Sequence, residues 1–549
     1  MNPSAFSGNF LFSSPTSTKN KSSTCHFIDI FDFIFVAHPD SGRIEGKEND
    51  RVFYFNSPQN ESVEKQTQIT GFAEAVFNFT ENFTDKKDES EFQYRYVNTS
   101  KQLHVYIQME QRKFIMGTGI NIELCTNEDY ILRGSAIKAV LIMAYKMFRL
   151  FFGPFSRLVT NNSAQLKDRL EYFFSRYLPQ LRLHRMPLLD VFCGVDYLSL
   201  DSVNYLRIEN LLDDLVESFP QISRTIFFYQ EHLITYNVSK TDLPVLCRYL
   251  TQHLLSRSMK EELQPEKYSR KDTVHRGKFL TGLAISAKNS SINEKYDVKL
   301  PVVYLCDENS AEKLVPYEMI VYRALNATVC MFVQKSIDAQ FLQQLDEYLD
   351  PELTALASLI AESYGVLNDI PRKESEFHFV YFNPESMSLK TSLTENIDSS
   401  RNSNLPSLPS SVYKSACDIF DEFLENNDFC ETSIKLDTDW WLTIKKVNKR
   451  FLMLILRSTT LTAPAEQYRY HLQPSPSYKA KLKSARQFGR ECNPDYKAIH
   501  RQYFKRKGIK IYNLLKPSLK STVIITTAVI DGDPTKMEEP LQLEQIFTA

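Results

Sequence analysis

Glycine is scarce in this chain, with 15 residues among 549, or about 3% where globular proteins average about 7%. Folds that cradle nucleotides need glycine where the backbone turns tightly or approaches the phosphates. No G-x-x-x-x-G-K-[ST] segment occurs, and Gly117-Thr118-Gly119 is followed by Ile122 where a dinucleotide fingerprint requires glycine. We therefore expect no cofactor site, and we interpret the Gly-x-Gly pair as a bulge within a strand.

Motifs of catalysis and metal binding are also missing. Neither H-E-x-x-H nor G-x-S-x-G occurs, the ten histidines are dispersed, and no two of the nine cysteines are spaced as Cys-x-x-Cys. The acidic residues Asp213, Asp214 and Glu217 lie within one turn of a predicted helix, which is typical of a solvated face. The sequence therefore predicts no catalytic residue, no metal site and no enzyme of covalent chemistry.

Long apolar runs are absent as well. Residues 1–22 are rich in Ser, Thr and Asn, lack the apolar stretch of a signal peptide, and are predicted to be disordered. The most apolar window, Ala136 to Phe155, is interrupted by Lys138, Lys146 and Arg149, which favours an amphipathic helix over a membrane span. We expect a cytosolic protein that keeps its cysteines reduced.

What is present is an ordinary globular composition, with 43% apolar and 12% aromatic residues, long enough for three to four domains. Hairpin-like strands followed by a helix recur three times, which predicts an α+β protein of three related domains. We place a first domain at 23–155, a helical linker at 156–220, a second domain at 221–365 and a third at 366–473. The polar loop 384–411 of the third domain is predicted to be mobile.

Some local expectations bear on the surface of these domains. In a helix over 61–83, the residues Ile69, Phe72, Ala73, Val76 and Phe83 follow a helical spacing and predict the core-facing side. Two further helices are expected at 338–349 and 351–364. Because neighbouring strand residues point to opposite faces, one ring of Trp440-Trp441 should be buried and the other half-exposed.

The remaining 474–549 form a basic tail of unknown fold. Between Pro474 and Lys520 there are 13 Lys/Arg and 2 Asp/Glu, a local charge of +11 in a chain whose total is −2. Aromatic residues are interleaved, among them Tyr503 and Phe504. Such a segment could be a solvated arm or could bind an anionic membrane through Lys505, Arg506 and Lys507; we expect no nucleic-acid partner.

Gly71, Glu74 and Ala75 lie in a predicted helix that follows Glu45-Gly46 and an apolar strand at Val52–Phe55. This segment resembles the opening of the CCZ (calcium–caffeine–zinc sensitivity) vacuolar fusion proteins, in which Arg-Glu-Gly and an apolar strand precede a helix carrying Gly-x-x-Glu-Ala. The likeness continues, in order, at Phe173–Leu178, Leu188–Phe192 with Gly194, Phe279–Gly282, Leu353–Ser358, Phe377–Asn383 and Asp439–Trp441. Two departures stand out: Arg-Glu-Gly reads Ile44-Glu45-Gly46 after Arg43, and no correspondence extends beyond about Leu461.

The resemblance implies three longin domains, each an antiparallel sheet flanked by helices, and a heterodimer with a Mon subunit. It further implies that the pair is a guanine-nucleotide exchange factor for the late-endosomal Rab GTPase, placed peripherally on late endosomes, phagosomes and lysosomes. The alternative is a longin scaffold that tethers trafficking factors without driving exchange. We expect the first domain to form the partner and Rab platform. Its expected contacts are a loop with Arg43, Glu45 and Gly46 and an exposed helix face with Gln66, Thr70 and Glu74.

Overall fold

The computed structural model describes residues 24–457, except for short segments within that range. The segments left out are 82, 84–90, 129, 162, 185–186, 256–276, 282–299, 308–312, 335–336, 370–376, 394–407, 426–430, 438 and 448. The predicted disordered start at 1–22 and the basic tail at 474–549, with Lys505, Arg506 and Lys507, lie outside the described residues.

The first unit is a five-stranded antiparallel sheet with helices on both faces. Its strands after a short β1 (Thr24–His26) are β2 (Phe31–Ala37), β3 (Val52–Asn56), β4 (Gln93–Asn98), β5 (Gln102–Met109) and β6 (Phe114–Asn121). Its helices are α1 (Val63–Glu81), α2 (Ile122–Asn127) and α3 (Gly134–Phe152). The strand order is β3-β2-β6-β5-β4, so β3 and β4 are the edges.

The segment between the first and second sheets is mainly helical, as the sequence predicts. Its elements are α4 (Phe155–Asn161), α5 (Ser163–Tyr177), β7 (Arg182–His184), α6 (Pro187–Phe192) and α7 (Ser202–Ser218). These helices are not free-standing. The ring of Phe174 on α5 stacks on Tyr54 of β3 at 4.8 Å between centroids, whereas α7 packs into the core of the second unit.

The second unit has the same arrangement, except that two short strands share the place that one edge strand occupies in the first unit. Its elements are β8 (Ile222–Tyr229), β9 (His232–Tyr236), α8 (Leu243–Tyr249), β10 (Gly277–Phe279), β11 (Val302–Cys306), β12 (Leu314–Ala324), β13 (Ala327–Val333) and α9 (Ala339–Asp369). The sequence expectation of two helices, at 338–349 and 351–364, is wrong, because α9 continues through Pro351. Proline removes one backbone hydrogen bond, while Leu349, Leu353 and Leu356 stay on the buried side of a single helix.

The third unit has five strands and one described helix. Its elements are β14 (Phe377–Asn383), β15 (Ser388–Thr391), α10 (Ser410–Glu425), β16 (Glu431–Asp437), β17 (Trp440–Val447) and β18 (Arg450–Arg457). The prediction of a mobile loop over 384–411 is wrong at β15, which pairs with β14; residues 394–407 lie outside the described part. The expectation for the tryptophans is also wrong, since Trp440 and Trp441 are both buried, at 6% and 9% exposure.

All three sheets share one strand order. Numbered within each unit, it is 2-1-5-4-3, written β3-β2-β6-β5-β4 in the first and β15-β14-β18-β17-β16 in the third. In the second, the order is β9-β8-β13-β12, and both β10 and β11 pair with β12 in the place of the third strand. A common order of this kind confirms the predicted α+β class and the triplication.

The helix α3 joins the first two units. Its residues belong to a core that continues from the first sheet into the second, and Phe151 packs edge-on against Tyr249 of α8 at 4.8 Å. This explains the apolar window that the sequence shows at this position. Among the described helices, none has the length and apolar character needed to cross a bilayer.

Candidate interaction surface

The structure brings the two predicted contact segments of the first unit together. The turn before β3 packs on the first half of α1, where Arg51 forms an ion pair with Glu74 at 3.3 Å and Thr67 donates to the Asn49 side chain at 2.8 Å. Both partners of the ion pair are largely buried, at 16% and 21% side-chain exposure. The turn Glu48–Arg51, which follows Arg43 to Gly46, is therefore held against α1. We call Arg43, Glu45, Gly46, Gln66 and Glu74 the loop–helix patch.

Within this patch the loop residues are the most accessible. Arg43, Glu45 and Gly46 are exposed, and Arg43 pairs with its neighbour Asp40 on the same turn. Gly46 adopts φ +82°, a left-handed conformation that glycine takes without steric cost. Its N–H donates to Glu48 at 3.0 Å, which closes the turn and fixes the direction of the neighbouring side chains.

Thr70 does not belong to the exposed face. It is 2% exposed, and its hydroxyl donates back to the carbonyls of Gln66 and Thr67. The expectation for the helix face is therefore wrong: Thr70, Ala73 and Phe77 are the residues that α1 buries. The sheet beneath α1 is lined with aromatic rings, so small residues on the helix are needed to let the two layers approach.

The rings beneath α1 also explain Gly117 and Gly119. A Cβ added at Gly117 would lie 2.4 Å from the Tyr106 ring, and one at Gly119 would lie 2.4 Å from the Phe33 ring. The bulge interpretation holds for one of the two neighbouring strands: β6 pairs with β5 in unbroken register through both residues, but the register of β2 against β6 shifts between Phe31 and Phe33, opposite Gly119. Glycine is required here to make room for aromatic side chains on the neighbouring strands.

A row of exposed phenylalanines lies on the outer side of α1, and the sequence analysis assigned two of them to the core. Phe72, Phe79 and Phe83 are 48%, 66% and 71% exposed, and the rings of Phe79 and Phe83 are 5.1 Å apart. We call these three residues the phenylalanine ridge. Burying a phenylalanine side chain contributes about 1.5–3 kcal/mol, so a ridge of three exposed rings is typical of a protein-binding surface.

The ridge lies beside a neutral histidine and near an open sheet edge. The His104 ring packs edge-on to Phe72 at 6.4 Å, and burial lowers its pKa, so it adds no charge there at neutral pH. The strand β4 has one strand neighbour among the described residues, β5. Its outer backbone groups can therefore pair with a strand of another chain. An apolar helix face beside an open edge is a surface suited to a partner of similar architecture.

A separate set of buried polar residues joins the three units. Asp190 on α6 is 1% exposed; its carboxylate accepts the His184 backbone N–H at 2.9 Å and pairs with His184 Nδ1 at 2.9 Å. It faces Arg248 of α8: burial opposes the charge of Arg248, but Tyr177, Asp190 and Cys193 raise the pKa of that guanidinium. We call this set the Asp190 junction.

The Asp190 junction borders a cavity of about 280 Å³ lined by all three units, including Met143 of α3, Phe228 of β8 and Leu389 of β15. Gly194 lies at its wall, where an added Cβ would come 2.2 Å from Leu389 Cβ. The Val195 N–H donates to the Met387 carbonyl at 2.7 Å. The linker is thus bonded to the third unit at the place where the sequence resemblance includes Gly194.

The described part of the chain contains no group of three or more His, Cys, Asp or Glu side chains placed as metal ligands. Its cysteines are free thiols. Burial raises the pKa of Cys193 to about 11 and that of Cys417 to about 12, so these thiols stay protonated at neutral pH.

Comparison with known proteins agrees with the repeated architecture. Residues 31–153 match the first longin domain of INTU, CCZ1 and HPS4, residues 222–350 match the Intu longin-like domain 2, and residues 373–469 match the Intu longin-like domain 3. The three sheets are thus longin-like domains, as the resemblance implies.

Full-length relatives cover most of the chain. The vacuolar fusion protein CCZ1 homologue of Xenopus laevis is 30% identical over 444 residues, which is 77% of this chain and 90% of that protein. The homologue of Danio rerio is 30% identical over 77% of this chain and 89% of its own length, and that of Dictyostelium discoideum is 21% identical over 74% and 88%. The chain belongs to the CCZ1 vacuolar fusion protein family.

Proposed function

We propose that this protein acts in vesicle trafficking as one subunit of a heterodimeric guanine-nucleotide exchange factor. Its partner is a Mon-family subunit, and its target is the late-endosomal Rab GTPase. The pair promotes GDP release and GTP loading, and so drives maturation and fusion of late endosomes, phagosomes and lysosomes, on whose membranes it is peripherally placed. Membership of a family named for vacuolar fusion supports the trafficking role.

The observation that carries the proposal is the phenylalanine ridge beside the open edge of β4. Three rings between 48% and 71% exposed, two of them on α1 and Phe83 just past the last residue of that helix, Glu81, are costly in an isolated chain, because apolar surface in water is unfavourable. The described part of the chain contributes only β5 as a strand neighbour of β4. We assign the ridge and this edge to the Mon subunit, and the loop–helix patch to the Rab.

An exchange factor needs no reactive side chain. A Rab holds GDP with an affinity on the order of 12 kcal/mol if the dissociation constant is nanomolar. A protein that binds the nucleotide-free form more tightly than the loaded form weakens nucleotide binding by the same factor, because the two affinities are linked. What is required is a rigid surface, and the Arg51–Glu74 ion pair supports one by holding the turn Glu48–Arg51 against α1.

Reversing the charges of the loop should slow exchange without dissociating the heterodimer. Arg43 and Glu45 are exposed and outside the core, so Arg43→Glu with Glu45→Arg leaves the fold intact. We expect GDP release stimulated by the heterodimer to fall at least tenfold, since charge complementarity at an interface is lost. The measurement is release of a fluorescent GDP analogue from the Rab.

The matched control for the loop is Glu123→Arg with Glu128→Arg, two exposed carboxylates that follow β6 outside the loop–helix patch. Stimulated release should be unchanged in this control. Equal release by the loop variant and the wild type would remove Arg43 and Glu45 from the proposed Rab contact.

The basic tail is assigned to anionic lipid through Lys505, Arg506 and Lys507. Each near-surface cation contributes about 1 kcal/mol at an anionic bilayer, so replacing all three by glutamate should weaken vesicle binding on the order of a hundredfold at low salt. The measurement is co-sedimentation of the full heterodimer with phosphatidylserine-containing vesicles. Deleting 521–549 instead removes none of these cations and should change little; equal sedimentation of both variants would contradict the assignment.

A longin scaffold that tethers trafficking factors without driving exchange would also use these surfaces. The two functions differ in one observable, because a scaffold leaves the rate of GDP release from the Rab at its spontaneous value. The nucleotide-release measurement therefore decides between them.

A further inference from the structure

A groove runs between α7 and α9 on the outer face of the second domain. It has a volume of about 330 Å³, with Leu211 and Asp214 on the α7 side and Tyr348, Glu352 and Leu359 on the α9 side. Leu359 is 37% exposed. The floor of the groove is apolar, and its rim carries the carboxylates of Asp214 and Glu352 together with the guanidinium of Arg207.

The two helices that form the groove carry an unusual share of negative charge. Along α7 there are four acidic residues and one arginine, and along α9 there are six acidic residues and no lysine or arginine. Glu217, Glu347, Glu352 and Glu362 are exposed. Asp346 and Asp350 of α9 face the sheet instead, where they accept hydrogen bonds from the Tyr322 hydroxyl and the Gly277 N–H. The exposed carboxylates, and not all ten acidic residues, are therefore available to a partner.

One wall of the groove also presents an unused acceptor. Asn210 lines the groove, and its side-chain oxygen is buried without a hydrogen-bond partner in the part of the chain that the structure describes. A buried amide oxygen that lacks a donor costs free energy. The N–H groups of lysine, arginine or a peptide backbone would satisfy it.

We propose that, away from an anionic membrane, the basic tail of this same chain, Pro474 to Lys520, docks in the groove between α7 and α9, so that lipid and groove compete for the same cations. The tail has 13 Lys/Arg against 2 Asp/Glu and interleaves them with aromatic residues, as in Tyr503-Phe504-Lys505-Arg506-Lys507. Aromatic rings suit the apolar floor, and the cations suit the carboxylates of the rim. This inference does not depend on the proposed exchange activity.

The length of the connection permits this docking. Arg457 ends β18, and a chain of the 17 residues from there to Pro474 spans up to about 60 Å when extended. A longin-sized domain has a radius of gyration of only about 13–15 Å. The link is intramolecular, so even weak contacts are favoured by a high effective concentration of the tail.

Zero-length cross-linking tests the docking directly. A carbodiimide joins a lysine amine to a carboxylate only where the two are in contact. In the full-length chain purified with its partner subunit, we expect tail lysines such as Lys497, Lys505 and Lys510 to be joined to Asp214, Glu217 or Glu352. Glu217→Lys with Glu352→Lys should reduce these cross-links at least tenfold, as should 0.5 M salt.

The control is Glu123→Lys with Glu128→Lys, a charge reversal of equal size on exposed residues of the first domain, which should leave the cross-links unchanged. Equal losses in both variants would show a general charge effect and overturn the proposal. Mixing isotope-labelled and unlabelled protein separates a second copy from the same chain, and cross-links between copies would also overturn it. The proposal would also be overturned if anionic vesicles bound the tail but no tail lysine was ever cross-linked to α7 or α9.

Discussion

Replacing Phe79 and Phe83 of the phenylalanine ridge by aspartate should separate the protein from its Mon subunit. Both rings are mostly solvated in the isolated chain, at 66% and 71% exposure, so their removal costs the monomer little. In the heterodimer, losing two buried phenylalanines at about 1.5–3 kcal/mol each, with two carboxylates desolvated in addition, should raise the dissociation constant on the order of a thousandfold. Purified subunits in analytical ultracentrifugation give the measurement.

The matched control uses exposed aliphatic residues away from the ridge. Val302 in the second domain and Ile434 in the third are 42% and 37% exposed, and Val302→Asp with Ile434→Asp should leave the affinity within a few-fold of the wild type. The assignment of the ridge fails if the phenylalanine variant binds the partner normally. The thermal midpoint of the variant chain should stay unchanged, which shows that a loss of binding is not a loss of folding.

Replacing Asp190 by alanine should cause the largest loss of stability. Its buried carboxylate accepts the His184 backbone N–H and pairs with the His184 ring. Removing a buried carboxylate of this kind costs about 3–5 kcal/mol, because the backbone N–H and the ring of His184 lose their acceptor and the Arg248 guanidinium loses a favourable negative charge. We expect the thermal midpoint of the heterodimer to fall by several degrees, as measured by scanning calorimetry.

The chain offers a close control for Asp190 at the same cavity. Asp196 also pairs with a histidine, His232 Nδ1, at 2.9 Å, but its side chain is 59% exposed. Asp196→Ala should therefore cost less than about 1 kcal/mol. The hydrogen bond to Asp196 raises the pKa of His232, so this small stabilisation is complete below the unfolded pKa and is lost as pH rises through the folded pKa. Equal midpoints for the two variants would contradict the role of the Asp190 junction.

The sequence predicts the class and triplication of the fold because strand and helix periodicities are local. The hairpin of β17 and β18, for example, has alternating apolar residues and turns at Lys449, which adopts φ +65°. The pairing of the strands into one order is long-range, and no local pattern contains it. The same limit explains α9, where packing of Leu353 and Leu356 on the sheet outweighs the helix-breaking tendency of Pro351.

The candidate surface shows where local patterns mislead. Size and apolar character assign Phe72 and Phe83 to the core, yet α1 buries the small residues Thr70 and Ala73. Which residues of α1 are buried depends on the aromatic rings of the strands beneath it. Those rings fit only because Gly117 and Gly119 have no side chains to collide with them. The exposed loop with Arg43 and Glu45 was predictable, because charged residues near Gly46 are typical of a turn. The ion pair between Arg51 and Glu74 could not be predicted, since those residues are 23 positions apart in the sequence.

The central claim is that this protein and its Mon subunit bind an empty Rab more tightly than a loaded one. The most direct test is the release of fluorescent GDP from a panel of Rab GTPases, with the co-purified heterodimer added at increasing concentration and excess GTP present. The account predicts that release from the late-endosomal Rab accelerates with heterodimer concentration, while other Rabs release nucleotide at their spontaneous rates. Release at the spontaneous rate from every Rab in the panel would contradict it.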